Sequence, residues 1–361
     1  MVPYSHSNST NRILWVDSFR AIMIFAIAWG HALCAEPTSD SGVIQYLYSF
    51  HVPAFFFISG YTFHSESHFF PYAIKKIRTQ MIPYYIFSLI SILIFLLLGS
   101  FASSGLGVAI TTTEIGPNIL GMLYASGTTG YMKWNLPLWF IPCLFLASML
   151  FFWLRRIIAS AQKRNNATIA FILLLLISFL LSFLNYYHFH FSKLPFGFET
   201  VIYMLPFFIM GNWLKTYINT HTSNKFTILC IGALFLCVGT VLAFVNPGRV
   251  DYVSSAYMNL TVFYISAFSS ILGFVFLSHL LPLHALQYVG KNTLAILVMH
   301  KFPIVFMQIF LIRLMDKSTF IGIIIALIMA LIACVLSLAA GQIITCMIPF
   351  ALGKQKANPS N

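Results

Sequence analysis

Apolar runs long enough to cross a lipid bilayer follow one another along almost the whole chain of 361 residues. A membrane span must satisfy its backbone hydrogen bonds internally, so continuous apolar runs form helices, whereas barrel strands alternate apolar and polar residues. Ten helical spans are predicted, at 13–34, 43–64, 81–101, 136–158, 168–187, 197–216, 226–246, 257–280, 292–312 and 319–350. The predicted fold class is therefore all-α, a polytopic integral membrane protein.

The spans form one predicted membrane domain, at 13–350. It lies between an amino-terminal tail at 1–12 and a carboxy-terminal tail at 351–361. The longest connection, 102–135, is rich in Gly, Ser and Thr, and we expect a short interfacial or re-entrant helix within it.

The composition excludes a soluble protein. Of all residues 59% are hydrophobic and only 8% are charged, against about 25% charged residues in soluble domains. The net charge of +12 resides mainly in short loops between spans, with no Arg-rich aromatic module beside it. We therefore expect contacts with membrane lipids and no nucleic-acid partner.

The basic residues are distributed unequally between the two sides of the membrane. Of the 20 Lys and Arg residues, thirteen fall in regions on one side, Arg20 and Lys301 lie within spans, and five fall on the opposite side: Lys133, Lys193, Arg249, Arg313 and Lys317. Because basic loops are retained in the cytoplasm, both termini are predicted to be cytoplasmic.

The first span carries two ionisable residues, Arg20 and His31, and such residues are costly inside a membrane. Eleven residues make about three helical turns, so both side chains lie on one helix face, about 16.5 Å apart along the axis. Asp17 precedes Arg20 by three residues and is predicted to pair with it. The alternative is that Arg20 extends to the interface and His31 makes a polar contact between helices.

Two further segments, one in the second span and one before the third, carry ionisable side chains that bear on the same site as Arg20 and His31. His51 in the second span, next to the helix-kinking Pro53, is predicted to lie at the depth of His31. No third residue stands at metal-ligand spacing, so no metal site is predicted. Lys75 and Arg78 before the third span suit phosphate groups, although topology charges or contacts to anionic lipid explain them equally.

Three later residues are predicted to contact the substrate together with His51. In the ninth span His300 and Lys301 are adjacent, and since neighbouring helical residues point about 100° apart, we expect His300 rather than Lys301 to face a cavity. Trp139 can stack on a sugar face, although an aromatic belt is an alternative. Glu199, one of only eight acidic residues, lies at the outer end of the sixth span and is a candidate to orient His31 or His51, with a position at the membrane interface as the alternative.

Together these segments resemble the acyltransferase 3 family of integral-membrane acyltransferases, in particular its fucose 4-O-acetylase-like and polysaccharide O-acetyltransferase branch. The matching residues are Asp17, Arg20 and His31; His51, Pro53, Ser59, Gly60 and Tyr61; Lys75 and Arg78; the segment 138–142; and Asn292, Thr293 and His300. Lys75 replaces the Arg often found there, which keeps the charge but weakens bidentate phosphate recognition.

The resemblance implies a multi-pass protein of the bacterial inner membrane that uses cytoplasmic acetyl-CoA as co-substrate. The implied acceptor is a sugar hydroxyl of a capsule, O-antigen, exopolysaccharide or other envelope polysaccharide, or of its lipid-linked precursor. A transporter or flippase for a glycolipid or small solute, whose buried charges line its path, is the main alternative, and a structural subunit of an envelope assembly is another.

The residues suggest how such a transfer proceeds. With an unperturbed pKa near 6.5, histidine suits a general base, so His31 is predicted to take the hydroxyl proton or to carry the acyl group briefly. Arg20 is predicted to bind the CoA arm or polarise the thioester, and Asp17 completes the predicted catalytic group. Lys75 and Arg78 are predicted to hold the CoA phosphates.

Overall fold

The computed structural model describes residues 13–34, 38–64, 68–105, 115–127, 133–162, 166–217, 224–315 and 318–355. The helices are α1 Leu14–Ala32, α2 Gly42–Tyr61, α3 Phe69–Lys76, α4 Ile82–Gly105, α5 Ile115–Tyr124, α6 Phe140–Gln162, α7 Ala167–Leu184, α8 Phe198–Tyr217, α9 Lys225–Val245, α10 Leu260–Leu280, α11 His284–Lys291, α12 Thr293–Met299, α13 Lys301–Met315 and α14 Thr319–Met347. Among these residues β-pairing is limited to one bridge between Asp251 and Ala256. The all-α class is confirmed.

Nine of the ten predicted spans coincide with one helix each and 292–312 with the pair α12 and α13, although fewer helices qualify as spans by length and composition. Six do so among the described residues, and the number rises to seven if the bent pair α12 and α13 is one span. Helices α1, α2 and α8 fall outside this set and carry buried polar residues. A multi-pass membrane protein is supported, while the count of ten and the cytoplasmic termini stay predictions. The helix expected within 102–135 is α5.

Helix α1 lies at the centre of the helix bundle. It contacts α2, α10, α11, α12, α13 and α14, and most of its side chains are buried. Its first turn packs directly on α11, where Gly290 meets the backbone of Asp17; a Cβ at Gly290 would overlap the Asp17 carbonyl group. The helix that carries Arg20 and His31 is therefore held from several sides.

Helices α2 and α8 approach each other so closely that two glycines are required. Gly60 faces the backbone carbonyl of Phe208, and Gly211 faces that of Phe57, so a Cβ at either glycine would overlap a backbone oxygen. Asn212 strengthens the same contact by donating its side-chain amide to the Gly60 carbonyl oxygen at 3.1 Å. This contact fixes α2, which carries His51.

Prolines interrupt two helices next to residues of interest. A π-helical turn, Ile77–Met81, joins α3 to α4 just before Pro83, whose missing N–H and bulky ring disfavour a regular helix there. The predicted continuous span 292–312 is wrong in one respect: it bends by 46° between α12 and α13, at His300. Pro303 is the reason, because it cannot donate to the carbonyl of Met299.

The segment that follows α14, up to residue 355, folds back onto the bundle. A 3-10 turn, Pro349–Leu352, follows α14, and Gly353 has a φ of 67°, in the left-handed region that favours glycine. A Cβ at Gly353 would lie 2.8 Å from the Cα of Thr79, so this turn packs on the π-helical turn. Ala351 and Leu352, which the sequence assigned to the carboxy-terminal tail, are thus buried against the domain.

Candidate active site

Three cavities between the helices contain the ionisable residues singled out above. The basic cavity, about 1120 Å³, is lined by Lys75, Arg78 and Lys354. The arginine cavity, about 360 Å³, is lined by Arg20. The histidine cavity, about 290 Å³, is lined by both His31 and His51. The structure thus separates the predicted residues into three groups.

The three cavities adjoin one another in a row. Thr79 lines both the basic and the arginine cavity. Phe140 and Leu297 line both the arginine and the histidine cavity. The cavities are therefore neighbours, with Thr79 at the first junction and Phe140 and Leu297 at the second.

The basic cavity brings together α3, the π-helical turn and the end of the chain. Lys75 and Arg78, predicted as partners for phosphate, both line it. Lys354 adds a third cation; its Nζ donates to Asn292 Oδ1 at 3.0 Å and to Thr345 Oγ1 at 3.3 Å. Lys354 was not predicted as part of this site, because nothing in the sequence after α14 indicates that this segment folds back onto the bundle.

Arg20 is partly buried and is held by a hydrogen bond to the residue that follows α2. Its Nη2 donates to Thr62 Oγ1 at 3.1 Å, and that hydroxyl donates to the Ile58 carbonyl oxygen at 2.7 Å. Ser59 also lines this cavity. Asp17 lies one turn before Arg20, is buried, and lines none of the three cavities. The backbone of Asp17 contacts Gly290 of α11, which suits a residue that helps to hold α1 in place.

His31 and His51 line one cavity, as expected for residues predicted to lie at a similar depth. His51 Nδ1 lies 2.6 Å from the Leu47 carbonyl oxygen, and its ring lies 4.7 Å from that of Tyr48 between centroids. A carbonyl only accepts, so the neutral His51 ring carries its proton on Nδ1. His31 is partly buried, and its ring lies 5.3 Å from that of His300.

Lys301, and not His300, lines the histidine cavity. His300 is fully buried, at 0% exposure, and does not line this cavity, so the structure gives its predicted contact with substrate no support. The prediction assumed a continuous helix, in which only one of two neighbours faces a given cavity. The break before Pro303 allows Lys301 to reach the cavity while the His300 ring lies against His31.

Trp139 lines the histidine cavity as predicted for a substrate contact. It closes a 3-10 turn, Lys133–Trp139, that Asn135 fastens to α12 by donating to the Val298 carbonyl oxygen at 2.9 Å. Asn135 was not predicted, because one amide in a polar connection is not distinctive. Both residues help to fix this wall of the cavity.

Glu199 does not line the histidine cavity, so its predicted role in orienting His31 or His51 is not supported. It is 1% exposed and lies in the first turn of α8. Its Oε2 accepts a hydrogen bond from the backbone N–H of Leu194 at 3.1 Å. The carboxylate thereby fastens the turn that precedes α8.

The connection between α9 and α10 contributes a wall that the sequence did not reveal. Arg249, Asp251 and Tyr252 all line the histidine cavity, and the Arg249 guanidinium lies 5.2 Å from the centre of the Tyr48 ring. Burial raises the pKa of Tyr252 well above its ordinary value, so the phenol stays protonated and donates to the Tyr48 carbonyl oxygen at 2.6 Å. Arg249 and Asp251 stand two residues apart in a chain that is poor in acidic residues, and this was the sequence feature that could have indicated the wall.

The histidine cavity combines a potential base with a cation in one partly enclosed space. His31 can accept a proton, and Lys301 can stabilise negative charge that develops on an oxygen. Arg20 lies about three helical turns from His31, in a different cavity, and is too far away to share that step. Within the described residues, no group of three His, Cys, Asp or Glu side chains is arranged to hold a metal.

Comparison with known proteins points to the same kind of chemistry. The family model described as an acyltransferase domain, of the acyltransferase 3 type, matches residues 13–339 and so covers nearly the whole membrane domain and all three histidines discussed above. No curated protein and no solved structure matches the chain significantly.

Proposed function

Because the chain belongs to the acyltransferase 3 family, we propose that it is a membrane O-acetyltransferase. It moves an acetyl group from cytoplasmic acetyl-CoA to a sugar hydroxyl of a bacterial cell-envelope polysaccharide or of its lipid-linked precursor. Family membership makes the protein a membrane acyltransferase. The acetyl donor, the sugar acceptor and the bacterial inner membrane are the proposal.

The row of three cavities is the observation that carries this proposal. Acetyl-CoA has a phosphate-rich head and a long, thin pantetheine arm that ends in the thioester. The basic cavity suits the head, because phosphates prefer Lys and Arg. The arm then extends past Arg20 and delivers the thioester beside His31. In this arrangement the pantetheine arm spans the separation between Arg20 and His31, which is about 16.5 Å along α1.

The direction of transfer follows from the distribution of basic loops. The basic cavity lies on the side with the larger number of basic residues, which is predicted to be cytoplasmic, where acetyl-CoA is available. The histidine cavity then faces outward. The acceptor sugar enters from that side, against Trp139 and the Arg249–Tyr252 wall.

His31 and Lys301 perform the chemical step in the direct form of this mechanism. His31 takes the proton of the acceptor hydroxyl as its oxygen attacks the thioester carbonyl carbon. The tetrahedral oxyanion lies near Lys301, then collapses with cleavage of the C–S bond. The CoA sulfur leaves and takes the proton from His31, so the histidine is restored. Transfer through a transient acetyl-histidine gives the same products in two steps.

Lys301→Met tests the role of that cation. Methionine retains the apolar length of the side chain but removes its charge, and we expect kcat to fall by about 10²-fold, as for the loss of one oxyanion donor. The KM for acetyl-CoA is expected to change little, because the phosphates bind in the basic cavity. Lys193→Met, at an exposed residue outside all three cavities, is the control. An unchanged kcat in Lys301→Met contradicts the assignment.

The proposed function itself is tested in membrane vesicles that contain the protein and a lipid-linked or polymeric sugar acceptor. Radiolabelled acetyl-CoA, which does not cross membranes, is expected to label the acceptor in inside-out vesicles and not in sealed right-side-out ones. Arg78→Gln is expected to raise the KM for acetyl-CoA roughly tenfold through the loss of a charged phosphate contact. Lys225→Gln, at an exposed basic residue outside the basic cavity, serves as the matched control.

Two outcomes separate this proposal from its main alternative. Labelling of the acceptor that depends on inside-out orientation supports acetyl transfer. Movement of a glycolipid or solute across the membrane without any acetylated product supports a transporter or flippase and removes the proposal.

A further inference from the structure

His300 is a buried histidine that the chemical step above does not use. It lies at the break between α12 and α13 and is 0% exposed. Its Nδ1 lies 2.8 Å from the Ile296 carbonyl oxygen and 3.0 Å from that of Leu297. Carbonyl oxygens only accept, so Nδ1 carries a proton and donates it. A buried ring without an anionic partner among the described residues is neutral, which leaves a lone pair on Nε2.

That lone pair faces no donor in the structure. His300 Nε2 is buried and has no hydrogen-bond partner among the described residues. A buried polar atom in this state is rare and needs an explanation. His300 Nε2 carries no proton and can only accept a hydrogen bond, so the missing partner must be an N–H or O–H group.

The ring of His31 lies at the right separation to be that partner. The two ring centroids are 5.3 Å apart. Imidazoles joined by a linear N–H···N hydrogen bond have centroids about 5.3 Å apart, since each nitrogen lies about 1.2 Å from its ring centre and the N···N distance is about 2.9 Å. The structure shows no hydrogen bond to His300 Nε2; catalytic hydrogen bonds commonly tighten only when substrate is bound.

Tyr48 and Glu199, two other polar residues that could be considered as partners of His31, make contacts elsewhere. The Tyr48 hydroxyl, whose ring lies 6.5 Å from that of His31, contacts Cys34 Sγ at 3.2 Å. The Glu199 carboxylate accepts from the Leu194 backbone. His300 is thus a neighbour of His31 whose buried Nε2 still lacks a partner.

We propose that His300 is a positioning residue that fixes the tautomer and orientation of His31. One nitrogen of His31 donates its hydrogen to His300 Nε2, which leaves the other nitrogen unprotonated toward the cavity, where a base is required. When His31 takes the hydroxyl proton, the same acceptor holds its remaining N–H, and His300 stays neutral throughout. This inference rests on the proposed role of His31 as the base.

Two substitutions of His300 separate positioning from packing. An Asn amide can replace the Nδ1–H donor but does not reach the position of Nε2, whereas a Gln oxygen can accept near that position. His300→Asn is expected to lower kcat by about 10- to 100-fold with a KM for acetyl-CoA within about twofold, as for the loss of an orienting partner. His300→Gln is expected to recover most of that loss. Both are measured in vesicles, normalised to the amount of folded protein.

A second histidine supplies the matched control. His279 Nδ1 also lies 2.8 Å from the carbonyl four residues earlier, that of Val275, while its ring stacks on Trp15, and it lines none of the three cavities. His279→Asn and His279→Gln are expected to retain wild-type kcat. Equal kcat in the two His300 variants, or a higher kcat in the Asn variant, overturns the positioning role. Failure of the proposed function looks different, because the wild-type protein then transfers no acetyl group.

Discussion

His31→Ala is expected to lower acetyl transfer by about 10²- to 10⁴-fold while the protein is still produced and inserted at normal levels. The reason is that His31 lines the histidine cavity and supplies the base, and alanine cannot accept the hydroxyl proton. Packing is expected to suffer little, because His31 is only partly buried. The measurement is the initial rate of acceptor labelling from radiolabelled acetyl-CoA.

The control for this result is His188→Ala, at an exposed histidine that lines none of the three cavities. Its rate should equal that of the wild type. His51→Ala examines the other histidine of the same cavity, and we expect a smaller loss there because His51 is assigned to the acceptor. If His31→Ala retains full activity and His51→Ala abolishes it, the two roles must be exchanged.

Gly211→Ala is expected to destabilise the folded protein by about 1–3 kcal/mol or more, because the added Cβ forces α8 away from the Phe57 carbonyl of α2. The obstacle is backbone, which cannot rotate aside as a flexible side chain can. Gly60→Ala affects the same contact from the other helix and is expected to have an effect of similar size. The readout is the midpoint of thermal unfolding of the detergent-solubilised protein.

Gly116→Ala provides the matched control, because a Cβ there has nothing within 4 Å. Its unfolding midpoint is expected to equal that of the wild type or to rise slightly, since alanine favours helix more than glycine does. An unchanged midpoint in Gly211→Ala would show that α2 and α8 are less tightly packed than the structure indicates.

Properties that depend on near neighbours along the chain were predictable. The apolar runs predicted where the helices lie, and they placed Arg20 and His31 in one helix, about three turns apart. The short spacing between Lys75 and Arg78 was enough to place both in one cavity. Each of these predictions depends on a stretch of a few turns, within which helical geometry is nearly constant.

Properties that depend on contacts between distant segments were not predictable. Lys301 reaches the histidine cavity because Pro303 breaks the helix, and a count of 100° per residue does not include that break. Lys354 joins the basic cavity because Gly353 lets the end of the chain turn onto Thr79. Glu199 was assigned to the histidines from its scarcity alone, and the structure shows it accepting from Leu194 instead.

The sequence by itself determined an all-α membrane protein, a first helix with Arg20 and His31 about three turns apart, and the resemblance to membrane acyltransferases. Only the tertiary structure decided which cavity each ionisable side chain enters, and that the ring of His300 lies beside His31. The physical reason is that hydropathy and helical periodicity are local, whereas a cavity is formed by faces of helices far apart in the chain. Those faces meet only after close backbone contacts, such as that of Gly290 with α1, have set the positions of the helices.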